Sequence, residues 1–287
     1  MIKLAILILH GIGNQDETYA DDFITSLTRS FHEQLDESHP HTPLLECMPV
    51  FWGDVLQSRE EDLWQSLAPA PKLHYRSLRE FVIRFLGDAI AYQPASHPHS
   101  NPNYERIHEV VARGLQHLRD KAGDSAPLTV ISHSLGTIIA SNYFYDLQYL
   151  RQQLPPPLSA IRSNTPLENG ETLVNFYTMG SPLSLWTLRY EELDRPISVP
   201  SPALANHYPH IQSGSWLNYY DQDDVIAFPL QSLNDVYKKM VKKDVQINCG
   251  NLLTSWSPLA HLNYFKEQKL IDDIAAQLVT LWREVNP

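Results

Sequence analysis

The chain has 287 residues, enough for one large α/β domain or two small ones, and its 43% hydrophobic content is ample for a core. The formal charge of −11 leaves no basic surplus to neutralise phosphates, which argues against nucleic acid as a partner. Cys47 and Cys249 are the only cysteines, too few for a disulfide framework.

Residues 1–9 are apolar apart from Lys3 and run into His10-Gly11 without a small-residue cleavage site. They read as a buried strand over 3–9 rather than as a signal peptide. No other apolar run approaches the ~18 residues of a membrane span. With no export signal, a reduced, cytoplasmic protein is expected. His10-Gly11-Ile12-Gly13 follows the strand; a dinucleotide fingerprint would need a third glycine at position 16, where Asp16 would repel a pyrophosphate. Phe23, Ile24, Leu27, Phe31 and Leu35 recur at helical spacing behind Asp21 and Asp22, and 44–52 is the next strand, ending at Trp52. Residues 55–102 exceed a plain strand–helix alternation. Leu78, Phe81, Val82, Phe85, Leu86, Ala89 and Ile90 form an amphipathic helix there, followed by a loop rich in proline and histidine.

Ile107, Val110, Val111, Leu115 and Leu118 mark the helix that leads into 128–131, a β-branched strand bounded by Pro127. Leu135, Ile138, Ile139, Tyr143, Leu147 and Leu150 then recur at helical spacing, so strand passes to helix within Ser132-His133-Ser134-Leu135-Gly136. Ser134 sits at the apex of a sharp turn, and small residues stand two positions to either side because the two backbones nearly touch. Pro155-Pro156-Pro157 and 164–170 read as an irregular excursion. Residues 173–179 are a strand closed by Gly180-Ser181-Pro182, and 187–213, rich in Pro, Ser and His, form an insertion beside Trp186.

Residues 215–220 are a short strand ending in Asp221-Gln222-Asp223-Asp224. A calcium-binding EF-hand there would need Gly at 226 and Glu at 232, and Ile226 and Ser232 exclude it. Val236 and Tyr237 lie in a helix whose solvated face carries Lys238, Lys239, Lys242 and Lys243. Residues 245–249 are the last strand. His261 falls between it and a closing helix striped by Leu262, Phe265, Ile271, Ile274, Leu278 and Leu281 or Trp282.

The His10-Gly11 turn, the Ser132–Gly136 elbow, Gly180-Ser181-Pro182, an Asp-bearing loop and a late His, in this order, resemble the α/β-hydrolase superfamily. Within it they look like lipase-like and GPI-inositol-deacylase-like hydrolases. The departure is Ser132, where most members carry Gly. The resemblance implies one domain over 1–287: a mostly parallel sheet with helices on both faces, a reduced N-terminus lacking the first two strands, and loop-face cap insertions at 55–102 and 187–213. It implies Ser134 as nucleophile and His261 as general base. For the acid it implies Asp224, which Val225 and Ile226 follow, then Asp221, then Asp223. The Ile12 and Leu135 amides would form the oxyanion hole, and Trp52, Trp186 and His133 would contact substrate. The expected activity is hydrolysis of carboxylic esters, lipid acyl esters among them, through an acyl-enzyme and with no cofactor or metal; His108-Glu109 belongs to no His-Glu-x-x-His. A thioesterase or amidase would use the same residues, and a non-catalytic binding protein of the same fold is the alternative from another class.

Overall fold

The computed structural model describes residues 1–11, 16–35, 43–67, 87, 89–92, 102–154, 156–189, 195–249 and 261–287. Its centre is a six-stranded sheet in the order β2-β1-β3-β4-β5-β6, parallel at every pairing. The strands are β1 (Leu4–Leu9), β2 (Leu45–Val50), β3 (Leu128–His133), β4 (Leu173–Met179), β5 (Ser215–Asp221) and β6 (Val241–Ile247). The α-helices delimited among the described residues are α1 (Asp21–Leu35), α2 (Asp54–Leu67), α3 (Pro102–Ala122), α4 (Leu135–Tyr149), α5 (Pro156–Ile161), α6 (Leu183–Trp186), α7 (Asp235–Met240) and α8 (Gln268–Val285).

A parallel sheet covered on both faces needs strands apolar on both sides, and β1 shows this most simply. Ala5, Leu7 and Leu9 join one core, with buried residues of α3 and α4; Leu4, Ile6 and Ile8 join the other, with α1 and α8. Because β1 pairs with β2 on one side and β3 on the other, successive connections depart in opposite directions. The crevice this opens at the carboxyl ends of β1 and β3 is where open α/β sheets place ligands.

Several boundaries differ from the sequence reading. Pro156 and Pro157 open the short helix α5 instead of an irregular run, since proline is tolerated in a first helical turn. Strand β6 begins at Val241, four residues before the expected start, so Lys242 and Lys243 stand exposed on an edge strand while Lys238 and Lys239 belong to α7. The closing helix starts only at Gln268, where Glu267 accepts the Lys269 amide; Leu262 is exposed, outside its stripe. The insertion expected at the loop face over 187–213 is corrected over its later part. The Ser201 amide donates to the Leu173 carbonyl at the start of β4, and the Tyr208 hydroxyl to Ser125 ahead of β3. This stretch therefore runs at the opposite end of the sheet, because a crossover between parallel strands must return the chain to the strand starts. Of the helix expected at 78–90, only residues 87, 89 and 90 lie within the described residues.

Candidate active site

The strand β3 has to become helix α4 at one residue, and Ser134 takes φ 52° and ψ −129° to do so. A non-glycine residue held there is strained and persists only where its surroundings fix it. Its amide donates to the Met179 carbonyl (2.9 Å), and its carbonyl accepts from the Thr137 amide (2.9 Å) and hydroxyl (2.7 Å). The Thr137 hydroxyl lies 2.8 Å from that of Ser181 in the Gly-Ser-Pro turn. Ser132, standing where glycine is usual, fits because its hydroxyl reaches the Tyr177 carbonyl at 3.3 Å. Gly136 is held to glycine by close approach: a Cβ there would fall 2.3 Å from the His10 carbonyl. At Gly11 a Cβ would lie 2.4 Å from the Ser134 Cβ and 3.0 Å from its Oγ. The His10-Gly11 turn thus lies directly over the serine.

Three side chains from separate loops meet at the carboxyl-end face. Ser134 Oγ is 2.7 Å from His261 Nε2, and His261 Nδ1 is 2.7 Å from Asp224 Oδ2. All three are buried. Burial alone would raise the Asp224 carboxyl. The His261 hydrogen bond and charge, the Ile226 amide on Oδ1 (3.0 Å) and the Tyr264 hydroxyl on Oδ2 (3.0 Å) outweigh it and hold Asp224 below the usual carboxylate range. Asp221 is engaged elsewhere: its oxygens accept the Asp223 amide (2.9 Å) and the Cys249 amide (2.6 Å), pinning the ends of β5 and β6 together. Asp223 is exposed. Of the three carboxylates, Asp224 alone has its hydrogen bond to His261.

The remaining predicted residues fall in different places. The Leu135 amide is at the first position of α4, among the helix-start N–H groups that have no intrahelical acceptor. Ile12 lies outside the described residues. Trp52, expected to contact substrate, is buried; it stacks flat on His10 (centroids 4.9 Å, interplanar 3°) and its indole donates to the His10 carbonyl (3.1 Å). Burial lowers the His10 pKa to about 4, so this imidazole is a neutral structural group at neutral pH. His133, also expected at the substrate, sits behind the triad: its Nε2 is 2.8 Å from the His261 carbonyl and its ring packs on those of His261 and Tyr264. Burial lowers its pKa to about 3. Trp186 borders a pocket with Ser141, Asn142, Leu183 and Tyr237, and none of the triad side chains lines it. Sequence reasoning assigned no role to Tyr264; the available signal was an aromatic three residues beyond the histidine.

The parallel order β2-β1-β3-β4-β5-β6, with the strained serine turn between the third strand and its helix, is the α/β-hydrolase fold. No protein-family model and no curated protein matches the sequence. Among solved structures, a chain described as Zea mays acyl-protein thioesterase 2 is similar at 15% identity and a TM-score of 0.38, over 98% of this chain and 94% of that one. Among the described residues no His, Cys, Asp and Glu cluster could hold a metal ion, and no helix is long and apolar enough to cross a membrane.

Proposed function

We propose that the chain is a serine hydrolase that cleaves carboxylic acyl esters, with Ser134 as nucleophile, His261 as general base and Asp224 as the acid. The observation that carries this is the unbroken line of hydrogen bonds, 2.7 Å from Ser134 to His261 and 2.7 Å on to Asp224. A serine hydroxyl is a weak nucleophile until a neighbouring base takes its proton. Asp224, kept ionised, accepts from His261 Nδ1–H; the bare Nε2 is then aimed at Ser134 Oγ. His261 takes the hydroxyl proton as Oγ attacks the ester carbonyl and returns it to the departing alkoxide. Water releases the acyl group from Ser134 by the same exchange. The Leu135 amide, at the positive end of α4, and the Ile12 amide would receive the oxyanion; one such donor is typically worth about 3–4 kcal/mol in the transition state.

The chain is read as one domain, with residues 55–102 as its cap and Trp186 as a substrate contact. The lipase-like and GPI-inositol-deacylase-like branch is the sequence's own suggestion, and it points to lipid acyl esters. The test is labelling by a fluorophosphonate probe together with turnover of p-nitrophenyl esters of graded acyl length, alongside thioester and amide counterparts. Folded wild-type protein should be labelled and should turn over esters fastest, and Ser134→Ala should do neither. An unlabelled wild type, inert across the panel, would favour a binding protein of this fold; faster thioester or amide turnover would move the substrate class.

A further inference from the structure

We propose that Tyr264 is a positioning residue for the triad: its hydroxyl, held by the Asp221 amide, fixes Asp224 as the hydrogen-bond acceptor that orients His261. The proposal rests on the serine-hydrolase reading above. Tyr264 Oη is 2.9 Å from the Asp221 amide nitrogen and 3.0 Å from Asp224 Oδ2. An amide N–H can only donate, so the phenol oxygen accepts there and its own proton points at Asp224. Asp224 Oδ2 then has two donors facing it, Tyr264 and His261, while Oδ1 takes the Ile226 amide. A carboxylate surrounded by donors has no use for a proton of its own. His261 must therefore carry its hydrogen on Nδ1, which leaves the Nε2 lone pair facing Ser134.

The ring is fixed as firmly as the hydroxyl. Tyr264 is fully buried, and Gly180, at φ +57°, backs onto it so closely that a Cβ would lie 2.9 Å from a ring carbon. The His133 ring packs on it at 5.4 Å. Tyr264 and Asp221 also grip the two sides of the stretch that carries His261, since Asp221 Oδ2 accepts the Cys249 amide before it and Tyr264 lies three residues past the histidine. The titratable and charged groups facing this phenol are His133 from β3, Asp221 and Asp224 from the loop after β5, Cys249 beyond β6, and His261. Burial raises the phenol pKa, so it remains a donor throughout the working range.

Tyr264→Phe removes the donor and keeps the ring. Without it the Asp224–His261 pair holds a proton more tightly, so the acidic limb of the rate profile moves to higher pH, by about one unit. The fluorophosphonate labelling rate at pH 7 and kcat on a p-nitrophenyl ester should each fall about ten-fold with KM little changed, as expected for a lost orienting contact. Replacing Tyr264 with 3-fluorotyrosine, which can turn its single fluorine to the ring edge away from Gly180, strengthens the donor, so the limb should move the opposite way; this variant decides the matter if Tyr264→Phe does not fold. Labelled wild type with an unmoved limb in both variants overturns the proposal alone, even if Tm falls. Wild type that is never labelled overturns the serine-hydrolase reading and this proposal with it.

Discussion

Asp221 and Asp224 stand three residues apart in one loop, and their partners separate their roles. Asp224 shares a hydrogen bond with His261, whereas Asp221 spends both oxygens on backbone amides. Asp224→Asn should therefore lower kcat by roughly 10³–10⁴ with the fold intact, because an amide in that place favours the wrong imidazole tautomer. Asp221→Asn should act mainly on stability, by about 1–3 kcal/mol, since a buried amide loses its charged acceptor. Ester kinetics and denaturant melts on the pair check this, and equal mild losses of activity in both would contradict the assignment. Gly11 belongs to the same scale. Its hydrogen leaves the space that the serine side chain needs, and Gly11→Ala would force the turn away from Ser134.

Among the elements, α4 shows most directly how position is enforced. Its start is pressed against the end of β1, and Gly136→Ala would set a methyl 2.3 Å from the His10 carbonyl. That substitution should cost both stability and labelling, whereas Leu278→Ala in the buried stripe of α8 should cost about 2–5 kcal/mol and leave the labelling rate of the folded protein unchanged. Thermal melts read beside probe labelling at 25 °C separate the two. The strands 3–9 and 173–179 were legible because strands buried on both faces are continuous apolar runs, and the elbow because a strand pattern and a helix pattern meet across small residues. The start of β6 was not: Val241-Lys242-Lys243-Asp244 continues the charged pattern of α7, and only pairing with β5 makes it a strand. The order Ser134, Asp224, His261 could be read from the chain. That Trp52 packs on His10, and His133 on His261 and Tyr264, could not, because composition does not say which way a side chain is packed.

For the molecule as a whole, buried imidazoles dominate the acid response. Burial lowers His10 from 6.5 to about 4, and His108 and His133 to about 3. The unfolded chain binds protons on these groups below about pH 6.5 while the folded chain does not, so stability falls as pH drops from there, by about 1.4 kcal/mol per unit for each histidine. Asp146, 3.5 Å from His108, works the other way: burial pushes it up to about 6, so the folded state gains a proton between there and 3.8 and offsets one histidine. The net expectation is a urea midpoint clearly lower at pH 5 than at pH 7.5; an equal or higher midpoint at pH 5 would refute it. The sheet also has two margins, and each is guarded in its own way. Pro49 withholds an amide along β2, and the paired ammonium groups of Lys242 and Lys243 flank β6. Two neighbouring molecules that tried to join their outer strands would have to bring these like charges together without water between them. Replacing both lysines by valine would remove that repulsion, and concentrated solutions of such a variant should scatter light and bind thioflavin where the native protein stays clear.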